Sequence, residues 1–319
     1  MKLKIAITAG LILIAFFSSD VYLKKAAGST TITVPDDYPS IQEAINAASE
    51  GDTVFVRAGV YHENVSDPFL VTMVIVNKSI SLVGESKFKT ILDGEFRRTP
   101  IVHITANDVT VTGFTICNSA SIFGLVGGGI QVDSCNGSRI MDNIVKDTQY
   151  GVNLYSQTTG NLVVYNLFII TGQNHYSGTG VQCLWSSGNT VHHNVFVGNC
   201  YAIAEGGLNV WEGGDPLGGN CWSAYKGNDS DRNGIGDVPF EIYKDNWDDY
   251  PLMVPIWQFD GDVNYDGKVD LKDTFAVGSA YGSKPIHPRW SLLCDINHDL
   301  RIDLRDYFMV CVRYGESWA

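Results

Sequence analysis

Two twelve-residue segments in the C-terminal part of the chain carry oxygen-bearing side chains at matching positions. They are DVNYDGKVDLKD at 262–273 and DINHDLRIDLRD at 295–306. Positions 1, 3, 5, 9 and 12 are Asp or Asn, and position 7 offers a backbone carbonyl. The predicted ligands are Asp262, Asn264, Asp266, Lys268, Asp270 and Asp273, then Asp295, Asn297, Asp299, Arg301, Asp303 and Asp306.

This density of oxygen atoms suits calcium, which takes six to eight oxygen ligands. The alternative is a pair of acidic turns, since Asp and Asn are common in loops. That alternative does not explain five matched positions occurring twice. The sequence therefore predicts two calcium sites, of which the second is weaker, because Leu300 stands where Gly267 tolerates the positive φ of position 6.

Each loop runs into an apparent helix, LKDTFAVGSAYG or LRDYFMVCVRYG, and the two copies lie 33 residues apart (295 minus 262). This duplicated loop and helix resembles the type I dockerin module and places it at 260–319. The resemblance implies that calcium folds the module and that the module binds a cohesin domain of another protein. It also implies partner contacts at Leu271, Lys272, Leu304 and Arg305.

The N-terminal segment predicts an exported protein, and the net charge argues against nucleic acid as a partner. Lys2 and Lys4 precede an apolar run over 5–17, which predicts a signal peptide at 1–28, with an uncleaved anchor as the alternative. No later segment is predicted to span a membrane. The net charge of −13 argues against nucleic acid as a partner. For the seven cysteines, burial as small apolar residues is the default interpretation, and if a disulfide forms, Cys294 with Cys311 is the favoured pair.

The middle of the chain, 31–254, is built of short β-branched runs that recur. Asn143, Asn166 and Asn194 each precede an apolar pair, at spacings of 23 and 28 residues. Periods of this length with Asn at corners predict a right-handed parallel β-helix whose Asn side chains hydrogen-bond along its axis. A β-sandwich also has short strands, but it does not repeat one motif at this length. The fold class is therefore mainly β, a β-helix followed by a small α-helical unit.

Both ends of this solenoid carry recognisable segments. PSIQEAINAA predicts a capping helix that begins after Ser40, with Glu43 completing a capping box. GNCWSAYKGNDSDRNGIGDVPFEIYKDNWDDYPLM at 219–253 predicts the closing segment. Together they resemble NosD-type and pectin-lyase-like β-helix proteins. Within the closing segment a third calcium site is predicted, with a simple Asx-rich loop as the alternative. Its ligands are Asp229, Asp231, Asn233 and Asp237.

No catalytic signature is evident. Several charged residues near coil corners are candidates, although solvated turn charges are the favoured explanation of them: Asp133, Arg139, Asp142, Lys146, Asp147 and Glu205. His192 and His193 are expected to point to opposite faces of a strand, so they cannot readily share one ion. His62, His103 and His175 could meet only through a stacking of coils that the sequence does not reveal. Four aromatic residues suit either sugar stacking or core packing: Tyr155, Tyr176, Trp185 and Trp211.

The favoured function is a secreted, calcium-stabilised β-helix that binds an extended polysaccharide or surface glycan and attaches to a cohesin-type partner. A polysaccharide lyase or glycoside hydrolase of the pectin-lyase-like fold is the alternative. A non-catalytic cell-surface spacer is the third interpretation.

Overall fold

The computed structural model describes residues 29–315 apart from 63–71, 121–127, 171–177, 199, 216, 231–233, 254–260, 262, 264–267, 285–286, 288, 290–293 and 297–300. The predicted signal peptide lies outside these residues. No helix in the described part of the chain is long and apolar enough to cross a membrane.

The described strands of the solenoid form three parallel sheets. The first contains β1 (Thr31–Val34), β2 (Thr53–Val56), β5 (Ser81–Gly84), β8 (Thr110–Thr112), β11 (Arg139–Met141), β14 (Leu162–Val164) and β17 (Thr190–His192). The second contains β3 (Gly59–Tyr61), β6 (Thr90–Arg98), β9 (Thr115–Ser119), β12 (Ile144–Lys146), β15 (Leu167–Ile169), β18 (Val195–Phe196) and β20 (Cys221–Trp222). The third contains β4 (Val74–Val76), β7 (Val102–Ile104), β10 (Ile130–Asp133), β13 (Tyr150–Tyr155), β16 (Thr179–Leu184) and β19 (Tyr201–Glu205).

The order of the strands is that of a parallel β-helix. The chain visits the three sheets in turn, so every strand pairs in parallel with the strand one coil earlier and one coil later. Alternate residues of each strand point inward and form one continuous apolar core. The predicted parallel β-helix is confirmed. Its right-handed winding stays a prediction, in line with the strong preference of parallel crossovers for that hand.

Two ladders of asparagine side chains run along the corners of the solenoid. In the first, the Oδ1 atom of Asn166 accepts from the backbone N and Nδ2 of Asn143, both at 3.1 Å. Asn194 accepts in the same way from Asn166 at 3.0 Å, and Asn220 accepts from Asn194. The axial hydrogen bonding predicted for Asn143, Asn166 and Asn194 is confirmed.

The second ladder was not predicted from the sequence. It runs from Asn161 to Asn189 and Asn209 at the corner between the third and first sheets. Because each amide also donates to a backbone carbonyl of its own or a neighbouring coil, buried turns that would otherwise lack partners are satisfied.

Separate elements close the two ends of the solenoid. At the start, helix α1 (Ile41–Ala47) packs Ile41, Ala44 and Ile45 on the core, and Ser40 accepts the backbone N–H of Glu43 at 3.2 Å. The predicted capping helix is thus confirmed. At the other end, β21 (Phe240–Tyr243) and β22 (Asn246–Asp248) form an antiparallel hairpin.

Strand β22 of the hairpin supplies the terminal hydrogen-bond acceptor of both Asn ladders. Oδ1 of Asn246 accepts the N–H of Asn209 at 2.9 Å, and Oδ2 of Asp248 accepts the N–H of Asn220 at 2.7 Å. The two residues are two positions apart, so they lie on the same face of β22 and supply the last acceptor of each ladder.

The C-terminal unit has its own apolar cluster and two helices, α2 (Leu271–Ala280) and α3 (Leu304–Arg313). The end of each helix bonds to the loop that precedes the other one. Gly282 N–H donates to Ile302 O, and Gly315 N–H donates to Val269 O, both at 2.8 Å. These pairs are related by the 33-residue repeat, so the duplicated sequence folds into two copies that exchange equivalent bonds.

One cysteine pairing predicted from the sequence is not formed. The thiol of Cys311 is exposed and free, so the bridge to Cys294 is absent. Cys117, Cys135, Cys183, Cys200 and Cys221 are buried in the solenoid, as expected for small apolar residues.

A candidate ligand-binding row on the third sheet

Four polar side chains follow one another on the outer face of the third sheet, one on each of four consecutive coils. Strand pairing places His103 beside Gln131, Gln131 beside Asn153, and Asn153 beside Gln182. Their neighbours along each strand, such as Ile130 and Val132, lie in the core. Because strand residues alternate between faces, these four point outward, and we call them the polar row.

The polar row is buried although it faces away from the core. Asn153 is fully buried, and Gln131 and Gln182 are each 8% exposed. Within the described part of the chain, five of their buried polar atoms have no hydrogen-bond partner: His103 Nε2, Gln131 Oε1, Asn153 Oδ1, Asn153 Nδ2 and Gln182 Oε1. Proteins satisfy most buried polar groups, since an unmade bond costs ~1–3 kcal/mol. A run of such atoms in register therefore points to a polar ligand.

Ionisable and aromatic groups border the polar row where the strands of the third sheet end. Asp133 Oδ2 lies 3.7 Å from His103 Nε2. Burial lowers the pKa of His103, and the carboxylate of Asp133 opposes this only in part, so the imidazole is neutral at pH 7. One coil on, the rings of Tyr155 and Trp185 lie 5.6 Å apart, and Trp185 is 59% exposed.

The sequence indicates one member of the polar row, His103, and four residues at its border, Asp133, Glu205, Tyr155 and Trp185. It does not single out the three amides Gln131, Asn153 and Gln182. A signal for the three amides does exist, because GIQVD, GVNLY and GVQCL place Gln or Asn at the same position of three similar strands.

Other candidates lie elsewhere. Arg139 and Lys146 belong to the first and second sheets, with Asp147 following Lys146. Asp142 forms an ion pair with Lys87. Trp211 is fully buried and donates to Asn246 at 3.1 Å, so it packs in the core, whereas Tyr176 lies outside the described residues.

The expectation that His192 and His193 point to opposite faces is wrong. Their Nδ1 atoms are 2.5 Å apart. His193 has a φ of +55°, which ends the alternation of the strand and turns its ring toward His192. His193 Nε2 lies 2.7 Å from Leu217 O, which only accepts, so His193 Nε2 carries a proton. Burial lowers the pKa of His192 to about 4.

One residue of the C-terminal unit, Asp295, lies within electrostatic range of the solenoid. Burial raises the pKa of Tyr165, and the carboxylate of Asp295 adds to this effect. The ring of Tyr165 stacks on His193, with the ring centroids 5.3 Å apart. Asp295 therefore lies near the first Asn ladder, since Tyr165 directly precedes Asn166.

Several predicted calcium ligands occupy buried or helix-capping positions. Asp273, Asp295 and Asp306 are fully buried. Asp270 and Asp303 cap α2 and α3 and form capping boxes with Asp273 and Asp306. Capping engages one carboxylate oxygen and leaves the other available to a cation, so the described carboxylates of the two loops are compatible with calcium.

The remaining predicted ligands are only partly described. Lys268 and Arg301, the position-7 residues, have exposed side chains, as expected where the backbone carbonyl is the ligand. Five ligands of the two loops lie outside the described residues: Asp262, Asn264, Asp266, Asn297 and Asp299. No group of three or more His, Cys, Asp or Glu side chains suited to a metal occurs among the described residues.

The loop predicted to hold a third ion closes on itself. Asp229 Oδ2 accepts Gly234 N–H at 3.0 Å, and Asp237 Oδ2 accepts both the N–H and the hydroxyl of Ser230. Asp231 and Asn233 lie outside the described residues. These bonds fit an Asx-rich loop, and calcium there stays a prediction.

The predicted partner-contact residues are solvent-exposed on both helices. Leu271 and Leu304 are 72% and 68% exposed, and Lys272 and Arg305 beside them are exposed too. Phe275 and Phe308 extend the same surface one turn further along α2 and α3. We call these six residues the helix face.

Comparison with known proteins gives a partial family match. The family model described as periplasmic copper-binding protein (NosD) matches residues 127–227, less than half of the chain. This span includes Gln131, Asn153, Gln182 and the pair His192 and His193. A search of curated proteins found no match.

Among solved structures, a pectin methylesterase in complex with hexasaccharide VII has a TM-score of 0.33 and 13% identity, covering 61% of this chain and 77% of the other. A mutant pectin methylesterase in complex with hexasaccharide IV has a TM-score of 0.30 and 14% identity, covering 64% and 73%. Similarities this low say nothing about function.

Proposed function

We propose that the third sheet binds an extended polysaccharide whose chain lies along the solenoid axis, across the strands. The observation that carries this proposal is the polar row, with its five buried and unpartnered polar atoms. Hydroxyl groups both donate and accept hydrogen bonds, so a sugar polymer satisfies amides of this kind.

The geometry of the row fits a repeating ligand. Neighbouring coils are about 4.8 Å apart, so four residues on consecutive coils span roughly 14 Å. A polymer presents similar groups at a regular spacing, and a solenoid presents similar side chains in the same way. Tyr155 and Trp185 at the border offer aromatic surfaces on which a sugar ring can stack.

A glycan array with purified full-length protein tests this proposal. We expect binding to a polysaccharide, and we expect Asn153→Leu to abolish it while Arg139→Ala, an exposed residue on the first sheet, leaves it unchanged. Binding that survives Asn153→Leu would place the ligand elsewhere. No binding to any polymer would favour the spacer interpretation.

An enzymatic role is the second candidate, and the pair His103 and Asp133 favours it. A neutral imidazole 3.7 Å from a carboxylate is suited to proton transfer next to a bound chain. New reducing ends or unsaturated products, lost in His103→Ala and in Asp133→Asn, would establish a hydrolase or a lyase. Binding without products would limit the solenoid to recognition.

We further propose that the C-terminal unit binds two calcium ions and attaches the solenoid to a cohesin-type partner. The reciprocal bonds between the two repeats and the buried Asp273 and Asp306 support paired loops of this kind. The helix face supplies exposed apolar side chains, and Lys272 and Arg305 suit an acidic partner surface. Export through the predicted signal segment at 1–28 would place the protein outside the cytoplasm.

Calorimetry and a cohesin panel test this second part. We expect two ions to bind, and we expect the double variant Asp262→Ala, Asp295→Ala to lose partner binding because folding and metal binding are coupled in such loops. The double variant Leu271→Ala, Leu304→Ala should lose the partner while it keeps both ions. Partner binding that persists without calcium would contradict the proposal.

A further inference from the structure

We infer that the polymer held by the polar row is uncharged and rich in hydroxyl donors, and that polyuronates and other acidic glycans are poor ligands. This inference rests on the proposed function and concerns the chemical class of ligand. It follows from which atoms of the row lack partners and from the charges that surround them.

The unpartnered atoms are mainly acceptors. Gln131 Oε1, Asn153 Oδ1 and Gln182 Oε1 are carbonyl oxygens that need a donor, whereas Asn153 Nδ2 is the single amide donor among the five atoms named above. A sugar hydroxyl provides a donor and completes these bonds. A carboxylate offers acceptors alone, so it would place oxygen against oxygen at three of the five atoms.

The sheet also lacks the cations that would balance an acidic ligand. Across the six described strands of the third sheet there is no Lys or Arg. His103 is neutral at pH 7 because burial lowers its pKa. The charged groups at the strand ends are Asp133 and Glu205, which are both acidic.

Burial of the polar row increases the free-energy cost of binding a negatively charged ligand. Removing a carboxylate from water is expensive unless a cation or several donors compensate it, and among the five buried, unpartnered atoms only Asn153 Nδ2 is an amide donor. The net charge of −13 also slows the approach of a polyanion at low salt. The same site therefore accepts hydroxyls and rejects carboxylates.

Affinity electrophoresis and calorimetry with the full-length protein separate these classes. The probes are neutral glucans, mannans and xylans on one side, and polygalacturonate and alginate of similar length on the other. Each probe is measured with calcium and with a chelator, because calcium can bridge two acidic partners. We expect a neutral polymer to bind about tenfold or more tightly than either polyuronate in chelator.

A charge-introducing variant provides the matched test. Leu184 is a half-buried residue at the outward strand end next to Gln182. Leu184→Arg should raise the affinity for polyuronate several-fold, with circular dichroism confirming the fold, whereas Leu184→Gln should not. Gain of polyuronate binding in the Arg variant alone would support the role of charge.

The results can disprove the ligand class without disproving polysaccharide binding at the polar row. Polyuronate binding in chelator that equals or exceeds neutral binding, and that is lost in Asn153→Leu, would overturn the inference and leave the row as the binding site. Absence of binding to every polymer would overturn both.

Discussion

At the scale of single residues, two asparagines show how this solenoid divides its polar groups between stability and function. Asn153 and Asn166 are both fully buried and lie on two successive coils of the solenoid. Asn166 belongs to the first ladder, and its amide donates to Ile140 O, Val164 O and Asn194. Neither polar atom of the Asn153 side chain has a partner in the described structure. The two residues are equally buried, so they differ in hydrogen bonding: Asn166 has partners within the protein, and Asn153 has none among the described residues.

We therefore expect Asn153→Leu and Asn166→Leu to change the free energy of unfolding in opposite directions. Asn153→Leu should stabilise the protein by about 1 kcal/mol, because an apolar group of similar shape replaces an unsatisfied amide. Asn166→Leu should destabilise it by about 2–4 kcal/mol, because several buried groups lose partners. Urea denaturation measures both. A loss of stability in Asn153→Leu would show that this amide is satisfied.

A second prediction concerns Asp248, the carboxylate that ends the first ladder. Burial raises its pKa to about 7, although Asn220, Trp222 and Tyr250 all donate to it. The unfolded chain releases this proton near pH 3.8. The native state thus binds more protons between about pH 4 and pH 7, and the contribution of Asp248 to stability falls as pH rises through this window, by up to ~1.4 kcal/mol per pH unit.

The variant Asp248→Asn isolates this contribution. His192, whose pKa is lowered to about 4, contributes with the opposite sign over the same range, so the difference between wild type and variant is the quantity to measure. That difference should change between pH 4 and pH 7 and level off above pH 7. An exposed control, Asp245→Asn, should show no such change. A flat difference for Asp248→Asn would mean that Asp248 is ionised throughout.

At the scale of elements, a column of aromatic rings joins the last coils to the closing hairpin. The ring centroids of Phe168 and Phe196 are 5.1 Å apart, those of Phe196 and Trp222 are 4.0 Å apart, and those of Trp222 and Phe240 are 4.8 Å apart. Phe240 belongs to β21, so the hairpin covers the open end of the core as well as both ladders. An uncovered end would expose apolar side chains and unpaired strand edges.

Trp222 is central to this closure, and its replacement should be costly. Trp222→Ala should destabilise the solenoid by about 3–5 kcal/mol, since a large buried ring is removed and Asp248 loses a donor. Trp185→Ala, which removes an exposed ring, should change stability by less than about 0.5 kcal/mol while it weakens polysaccharide binding. Thermal unfolding and binding assays check both. Equal losses of stability would contradict the assignment of Trp185 to the ligand site.

At the scale of the whole molecule, the described residues contain three apolar clusters: the solenoid core, a cluster in the C-terminal unit, and a small one of Val195, Cys221, Ile235 and Leu252 near the closing segment. The solenoid core runs continuously from α1 to Trp222, whereas the C-terminal cluster is small and includes Val269, Val277, Ile302 and Val310. A unit of this size buries too little apolar surface for a large stability of its own. We propose that calcium binding supplies the rest of the stability of this unit.

Removal of calcium should therefore unfold the C-terminal unit and leave the solenoid folded. Each ion contributes about 4 kcal/mol when calcium exceeds its dissociation constant roughly 1000-fold. Circular dichroism after chelation should lose the signal of α2 and α3 and keep the β signal, and magnesium should not restore the helices, because it demands tighter octahedral geometry. Unchanged helical signal in chelator would contradict calcium-dependent folding.

The periodic features of this protein follow from the sequence. The recurrent Asn143, Asn166 and Asn194, the Ser40 cap and the duplicated Asp loops each have a local signature that needs no knowledge of distant contacts, because a solenoid coil contacts mainly its neighbours. Sequence alone therefore predicted the parallel β-helix, its capping helix and the two C-terminal helices.

Only the tertiary structure identified the polar row and paired His192 with His193. Gln131, Asn153 and Gln182 lie more than twenty residues apart along the chain, and their lack of partners depends on everything packed around them. The positive φ of His193 depends likewise on the turn that it occupies between two sheets. The sequence shows which polar groups each side chain carries. Burial and hydrogen-bond partners depend on the residues packed around that side chain, so only the tertiary structure shows which polar groups lack a partner within the protein.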